Sequence, residues 1–162
     1  MIMPPEPLKL DAIDIKILNV LQANARISNA ELSERVNLSQ TPCLRRLRKL
    51  EQSGLIQQYS ARLDHGMLGI NVSAFVFVKL SKNTSSNAAE FESAIELLPE
   101  VLECCVLAGV HDYVLRIATQ NLQTFESFLK DKLANVDQVE DIESTIILNQ
   151  MMTHRSPKLS GN

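Results

Sequence analysis

Four cations lie within five residues of this sequence, at Arg45, Arg46, Arg48 and Lys49, and no acidic residue follows them until Glu51. Such a run creates a local positive field that attracts an anionic partner. Arginine forks also pair with guanine edges and with phosphates in DNA. The same run on an isolated helix would be a solvated basic face, so the element that carries these cations decides what they do.

The other residues that could do chemistry are too scattered for a catalytic or metal site. The histidines and cysteines show none of the regular spacings of a zinc site, and three cysteines cannot build a disulfide framework. Neither a Gly-x-Ser-x-Gly elbow nor a glycine-rich phosphate loop occurs. We therefore expect reduced thiols, no catalytic residue, no metal ligand and no cofactor, and we do not expect an enzyme.

A second polar cluster stands between two apolar stretches of the C-terminal half. Its residues are Gly109, Val110, His111, Asp112 and Tyr113. Two interpretations stay open from the residues alone. One is a β-turn in which Asp112 bonds its own backbone. The other is a ligand turn, in which Gly109 lets the backbone approach a small molecule while Asp112 and main-chain groups hold its charged ends.

Apolar residues at helical spacing predict three helices in the first third of the chain, over about residues 10–24, 29–36 and 40–53. Ser28 and Glu31 form a capping box at the start of the second helix. Only Asn37, Leu38 and Ser39 separate the second helix from the third, which is the spacing of a helix-turn-helix. The cations stand on the helix after this turn, so DNA binding is favoured over a merely solvated face.

The third predicted helix has an apolar stripe and, opposite it, a cationic stripe that fits the ~12 Å major groove of DNA. Its N-terminus adds a favourable dipole for phosphate. The apolar, alternating segment 55–63 is expected to form the short strands of a wing, from which Arg62 would reach a phosphate. The residues predicted to contact DNA are Ser39, Gln40, Thr41, Pro42, Arg45, Arg46, Arg48, Lys49 and Arg62.

Beyond a glycine-containing boundary at 64–70, six further elements are predicted: a strand (72–80), a helix (87–98), two strands (101–108 and 113–118), a helix (122–133) and a strand (139–148). The βαββαβ order predicts a ferredoxin-like sandwich, and the whole chain is expected to be α+β. The first strand is apolar on both faces, with Phe75 and Phe77 on one of them. A partner subunit is therefore expected to cover the open face of the sheet.

The same patterns predict the domain organisation and the location. The segments are a winged helix-turn-helix domain with a leader (1–63), a linker (64–70), a ferredoxin-like domain (71–150) and a polar tail (151–162). Residues 1–64 carry nine Lys and Arg against seven Asp and Glu, a net +2, whereas residues 65–162 carry a net −5. No apolar run reaches the ~18 residues of a membrane span and no signal peptide is evident, so we expect a cytoplasmic protein with no membrane partner.

Taken together, these motifs resemble the leucine-responsive/asparagine regulators, the Lrp/AsnC family. The N-terminal residues that carry the resemblance are Leu10-Asp11, Asp14, Ile17-Leu18, Arg26-Ile27-Ser28-Asn29, Glu31-Leu32-Ser33, Val36, Leu38-Ser39, Thr41-Pro42-Cys43-Leu44-Arg45-Arg46-Leu47, Leu50-Glu51 and Gly54. The C-terminal ones are Glu103-Cys104 and Gly109-x-His111-Asp112-Tyr113. The resemblance covers nearly the whole chain.

The resemblance implies a nucleoid-associated transcription regulator of double-stranded DNA that dimerises through its sheet domain, the RAM/ACT-like regulation and oligomerisation domain. It also implies assembly to octamers and an amino-acid effector bound where dimers meet near the turn at 109–113. The last strand would line the same site, with Ser144, Ile146 and Ile147. One departure is Val136-Asp137-Gln138-Val139, where many members have Leu-Pro-Gly-Val, so the identity of the effector does not transfer.

Two alternatives from other classes remain open at this point. Some haem-biosynthesis decarboxylases resemble this family in both domains, which would make the chain an enzyme whose helix-turn-helix does not bind DNA. The basic third helix argues against this reading. The other alternative is an amino-acid-sensing module that acts on a partner protein without binding DNA.

Overall fold

The computed structural model describes residues 8–82, 84–152, 157 and 159 of the chain. These residues divide into two compact units, one formed by 8–62 together with 152, 157 and 159, and the other by Leu63–Met151. We call the first the helical unit and the second the sheet unit. The predicted leader and most of the predicted polar tail lie outside the described residues.

The helical unit contains α1 (Ala12–Ala23), α2 (Asn29–Arg35) and α3 (Gln40–Gln52). The Asp11 carboxylate accepts the N–H groups of Ile13 and Asp14, both at 2.9 Å, and so caps the first turn of α1. Ser28 and Glu31 form the predicted capping box at α2. Asn37 ends α2 with a φ of +56°, the left-handed conformation that asparagine tolerates at helix C-termini. The three predicted helices and the helix-turn-helix are confirmed.

One apolar core joins the three helices of this unit. Its buried side chains come from all three: Ile17, Leu18, Leu32, Val36, Cys43 and Leu50. Leu159, near the end of the chain, packs against the same core, and its backbone N–H and C=O both hydrogen-bond to the Asn19 side chain. The packing of α3 on this core determines which of its side chains remain at the surface.

The prediction of short wing strands is wrong in this structure, because residues 55–63 bend away from the end of α3 and form no strand. A strand needs a neighbour for its hydrogen bonds, and the described part of the helical unit offers none. Ile56 instead packs on the helical core, and the Tyr59 hydroxyl donates to Glu51 Oε1 at 3.0 Å. Burial is the first cause that raises the pKa of Tyr59 to about 12, and the bond to Glu51 adds to it.

The sheet unit follows the predicted βαββαβ order: β1 (Val72–Leu80), α4 (Ser85–Glu96), β2 (Val101–Val106), β3 (Tyr113–Thr119), α5 (Leu122–Ser127) and β4 (Val139–Ile146). After α5 the chain continues as a π turn and then a 3₁₀ turn, instead of the single predicted helix. The wide turn has a packing reason, because it lets Phe125, Phe128 and Leu133 all be buried on the sheet.

The four strands are antiparallel and lie in the order β2-β3-β1-β4. Alternation along β1 directs Ala74, Val76, Val78 and Leu80 into the core beneath the helices. Phe75 stands on the opposite, open face and is 40 % exposed. The α+β class and the ferredoxin-like arrangement are confirmed.

Candidate functional site

The first part of the site is the exposed face of α3. Cys43 and Leu50 are buried on the core, whereas Arg45, Arg48 and Lys49 are exposed. At ~100° per residue, positions three and four apart lie along one side of a helix. The helix-turn-helix therefore presents these three cations together, on the side away from the helical core.

The N-terminal turn of α3 adds backbone donors to this face. Ser39, Gln40 and Thr41 are exposed and Pro42 is partly buried. Within the described chain the Ser39 side chain makes no capping hydrogen bond, in contrast to Ser28 at α2. First-turn N–H groups of a helix that have no capping partner suit an anionic oxygen.

Arg46 differs from the neighbouring cations because its side chain turns toward α1. Its Nη1 lies 2.6 Å from Asp11 Oδ2 and 2.8 Å from Asp14 Oδ1. The hydrogen bond to Asp14, followed by that to Asp11, raises the pKa of Arg46. The pKa of Asp11 is lowered, first by the backbone N–H of Asp14 and then by Arg46. Sequence reasoning missed these two carboxylates as partners, since they lie 35 and 32 residues from Arg46 along the chain.

Arg62, the last predicted DNA contact, is exposed in the irregular segment that follows α3. It lies at the end of the helical unit. Arg62 therefore does not stand on a wing strand, as the sequence had predicted.

The second part of the site is the connection between β2 and β3, where Asp112 closes the turn. The Leu107 N–H donates to the Asp112 carbonyl at 2.7 Å, and the Asp112 N–H donates to the Val78 carbonyl at 3.0 Å. The Asp112 carboxylate accepts the Leu80 N–H at 2.8 Å. Asp112 therefore ties the turn to the end of β1, a contact that neither sequence interpretation included.

His111 and Tyr113 leave this turn on opposite faces of the sheet. His111 Nε2 lies 3.3 Å from Glu143 Oε2, and its ring centroid is 5.4 Å from that of Phe77, on the open face. Tyr113 is buried beneath the helices, where its hydroxyl donates to Glu92 Oε1 at 2.8 Å. Burial is the main cause that raises the pKa of Tyr113, and the Glu92 bond adds to it.

Gly109 and Val110 form the exposed tip of the turn. A Cβ added at Gly109 would meet nothing within 4 Å, and Gly109 is not among the glycines with positive φ. Neither the space inside one protomer nor the backbone therefore requires glycine at this position. Val110 is 85 % exposed, so the tip is open to a ligand or to a second molecule.

The three predicted residues of the last strand lie on β4 or directly after it. Ser144 and Ile146 pair with Val76 and Ala74 of β1, and the Ile147 N–H donates to the Ser73 carbonyl at 2.8 Å. Because β1 lies between β4 and β3, the last strand and the strand that begins at the turn are separated by a full strand. His111 nevertheless reaches across β1 to contact Glu143 on β4.

The open face also has polar residues that sequence reasoning did not single out. Arg116, which pairs with Phe75 across the strands, places Nη1 3.0 Å from Glu103 Oε1. Its Nε is buried and has no hydrogen-bond partner in the described part of the chain. No spacing signal in the sequence could have found it.

Two further observations concern metal sites and membrane-spanning helices. Within the described ranges, no group of three or more His, Cys, Asp or Glu is arranged to hold a metal ion. No helix in that same part of the chain is long and apolar enough to cross a bilayer.

Comparison with known families gives two matches that together cover most of the chain. Residues 10–57 match the family model described as winged helix-turn-helix DNA-binding. Residues 73–157 match the model described as the Lrp/AsnC ligand binding domain, which is more than half of the chain.

Curated relatives and solved structures agree with these matches. The chain is 40 % identical over 151 residues to the Bkd operon transcriptional regulator of Pseudomonas aeruginosa, covering 93 % of this chain and 99 % of that protein. It is 38 % identical to the leucine-responsive regulatory protein of Rhizobium meliloti over 88 % of this chain and 92 % of the relative. The structure superposes with a TM-score of 0.86 on a transcriptional regulator from Neisseria meningitidis in complex with L-Met, at 39 % identity and with 90 % and 94 % of the two chains covered.

Proposed function

The chain belongs to the Lrp/AsnC family of transcription regulators, and on this basis we propose that α3 reads operator DNA while the turn at 109–113 takes part in binding an amino-acid effector. The observation that carries the proposal is the exposed row of Arg45, Arg48 and Lys49 on the second helix of a helix-turn-helix. We assign DNA binding to residues 1–63 and regulation and oligomerisation to 71–150, joined by 64–70.

Within α3 the cations have different proposed tasks. Arg45 is the residue we assign to a base edge, because arginine reads guanine with two parallel hydrogen bonds. Arg48 and Lys49 contact phosphates, as do the N–H groups and side chains of Ser39, Gln40 and Thr41. Pro42 has no N–H group to donate and contacts the DNA backbone only through its apolar ring. Arg62 adds a phosphate contact from the segment after the helix. A dimer would read an inverted repeat whose half-sites are one or more helical turns apart.

The proposed regulator is a homodimer that assembles further to an octamer. Support comes from the open face of the sheet, where the large apolar side chain of Phe75 remains exposed. Pairing two such faces would bury the aromatic side chains against the partner subunit. The dimer surrounds no pocket of its own in this proposal; the effector binds where two dimers meet.

The effector we propose is a small amino acid with an apolar side chain. The relative from Neisseria meningitidis was solved with L-Met, and another relative is named for leucine. A zwitterion needs donors for its carboxylate and acceptors for its ammonium in a confined place. The open tip at Gly109 and Val110, the nearby His111 and the last-strand residues Ser144, Ile146 and Ile147 would provide such a place between subunits.

We propose no catalytic role and place the protein on DNA in the cytoplasm, associated with the nucleoid. The family is one of transcription regulators, and the exposed cations on α3 favour DNA binding over the decarboxylase alternative. The same cations favour a regulator over a sensing module that acts without DNA.

The test combines DNA binding with calorimetry. The purified protein should shift DNA from upstream of its own gene, and at least one of the twenty amino acids should bind it and change that shift. Sedimentation run in parallel should show that the same amino acid changes the assembly state, because an effector acts only through its different affinity for two states. Binding of DNA that no amino acid alters would remove the effector from the proposal and leave the DNA-binding role.

A further inference from the structure

Arg46 stands in the middle of the cationic run, yet its guanidinium is already engaged inside the helical unit. Nη1 bonds both Asp11 at 2.6 Å and Asp14 at 2.8 Å, and 31 % of the side chain is exposed. Arg45 on one side and Arg48 on the other are exposed. A cation that already has two carboxylate partners is a poor candidate for a third anion.

We propose that Arg46 is a positioning residue that holds α3 against the start of α1 and so sets the orientation of the DNA-reading helix. The inference rests on the proposed function of α3 and assigns Arg46 a different task from that of its neighbours. Asp14 and Asp11 are its partners in this role. The three side chains together are called the Arg46 clamp below.

Burial explains why the clamp constrains the helix. Asp14 is 8 % exposed, and a buried carboxylate is costly unless a cation or hydrogen bonds satisfy it. Asp14 Oδ2 accepts the backbone N–H of Asp11 at 3.3 Å, while Asp14 Oδ1 accepts from Arg46. Moving α3 away from α1 would take away the cation that neutralises this carboxylate, so the clamp resists that movement.

Asp11 links the clamp to the end of α1. Its Oδ1 caps the first turn by accepting two backbone N–H groups, and its Oδ2 accepts from Arg46. A single carboxylate therefore satisfies the start of one helix and a side chain of another. The position of α3 is coupled in this way to the N-terminal cap of α1.

A second contact holds the beginning of α3 from the other side. Asn29, at the start of α2, donates from Nδ2 to the Gln40 carbonyl at 3.2 Å. The N-terminal half of α3 is thus tied to α1 by the clamp and to α2 by this amide. Arg45, next to the clamp, would face the base edges. A change in the orientation of α3 would disturb base contacts most at this position.

The two roles of Arg46 predict opposite responses to the isosteric change Asp14→Asn. If Arg46 binds a phosphate, Asp14→Asn removes a negative charge near DNA and frees the guanidinium, so affinity should rise. If Arg46 positions α3, Asp14→Asn loosens the clamp and affinity should fall. Arg46→Met lowers affinity in both cases, but only a lost phosphate contact lowers the salt slope by about one.

The experiment measures the affinity of the full chain for its upstream DNA at several salt concentrations. Arg46→Met and Asp14→Asn change the net charge in opposite directions, yet we expect both to weaken DNA binding without changing the salt slope. For Arg46→Met the loss of affinity should be roughly five- to thirtyfold. Circular dichroism is used to choose a temperature at which each variant is folded. If Arg46→Met does not fold, the affinity of Asp14→Asn alone tests the proposal. Unchanged or stronger binding by Asp14→Asn would overturn the proposal.

Arg45→Met is the matched control, because it removes a neighbouring arginine that has no place in the clamp. Arg45→Met should weaken DNA binding equally in the wild-type chain and in an Asp14→Asn background. Arg46→Met should lower the affinity less in the Asp14→Asn background than in the wild-type chain, because the clamp is already weakened there. A full additional loss from Arg46→Met there would identify Arg46 as a DNA ligand. If Arg45→Met has no effect at all, the proposed function of α3 fails independently of the clamp.

Discussion

At the scale of single residues, neighbours in the sequence meet very different surroundings. Arg45 faces solvent while Arg46 bonds two carboxylates of another helix. His111 lies on the open face of the sheet, whereas Tyr113, two residues later, is buried beneath the helices. The residue type and its position in a motif therefore do not decide its task; the contacts on the folded chain do.

Asp112 gives the first prediction at this scale. Replacing it by alanine removes the acceptor of the Leu80 N–H, so the sheet unit should lose about 1–3 kcal/mol of unfolding free energy. Urea unfolding measures this loss. Asp137→Ala is the control, because Asp137 is exposed, and it should stay within about 0.5 kcal/mol of wild type. Equal stability of the two variants would show that the Asp112 bond to β1 contributes nothing measurable.

The acid dependence of the helical unit gives the second prediction. The pKa of Asp11 is lowered from 3.8 by the backbone N–H of Asp14 and then by Arg46, and that of Glu31 is lowered from 4.5 by its bonds to Ser28. A carboxyl group whose folded pKa lies below its unfolded value stabilises the fold above the unfolded value and loses that effect as pH falls through the folded one. Unfolding free energy should therefore drop below about pH 4.5, and Asp11→Asn should reduce the dependence below pH 3.8. An identical acid profile in the variant would contradict the shift at Asp11.

At the scale of elements, local patterns were enough to predict most of the fold. Helix caps and apolar periodicity depend on residues close in sequence, which is why all three helices of the helical unit and the order of the sheet unit agree with the structure. The wing strands could not be predicted in this way, because a strand exists only if a partner strand lies beside it. The same holds for the site: its candidate residues were recognisable, but Asp14 beside Arg46 and Glu143 beside His111 are tertiary contacts without a local signal.

The turn between α2 and α3 gives a prediction at this scale. Asn37 has a φ of +56°, which a β-branched side chain adopts only with strain. Asn37→Val should lower the unfolding free energy by roughly 1–2 kcal/mol, whereas Asn37→Gly should be close to wild type because glycine adopts this conformation freely. Thermal unfolding of the two variants compares them directly. If valine and glycine behave alike, the left-handed conformation is not what this turn requires.

At the scale of the whole molecule, the proposed assembly depends on the open face of the sheet. Phe77 and Phe75 stand on this face, and the Arg116–Glu103 pair lies beside them. In the proposed assembly a second copy of the chain covers this face, and the effector binds where two dimers meet. Assembly and ligand binding are therefore expected to depend on each other.

Light scattering tests the predicted dimer face. Phe77→Asp would bury a charge at the interface, so its mass at micromolar concentration should fall below that of wild type. Leu97→Asp is the matched control, because Leu97 is 81 % exposed just after α4, on the helix side of the sheet, and this variant should keep the wild-type mass. A wild-type monomer would show that something other than a second copy of the chain covers the sheet.

The central claim, that the exposed cations of α3 read DNA, is tested most directly by fluorescence anisotropy with upstream and scrambled duplexes at several salt concentrations. Arg45→Ala should weaken binding to the upstream duplex by about 1–3 kcal/mol and narrow its advantage over the scrambled one, while Lys49→Ala should lower the salt slope by about one on both. Lys82→Ala, which removes an exposed cation of the sheet unit, should behave as wild type. Unchanged affinity and unchanged salt slope after both Arg45→Ala and Lys49→Ala would contradict the account.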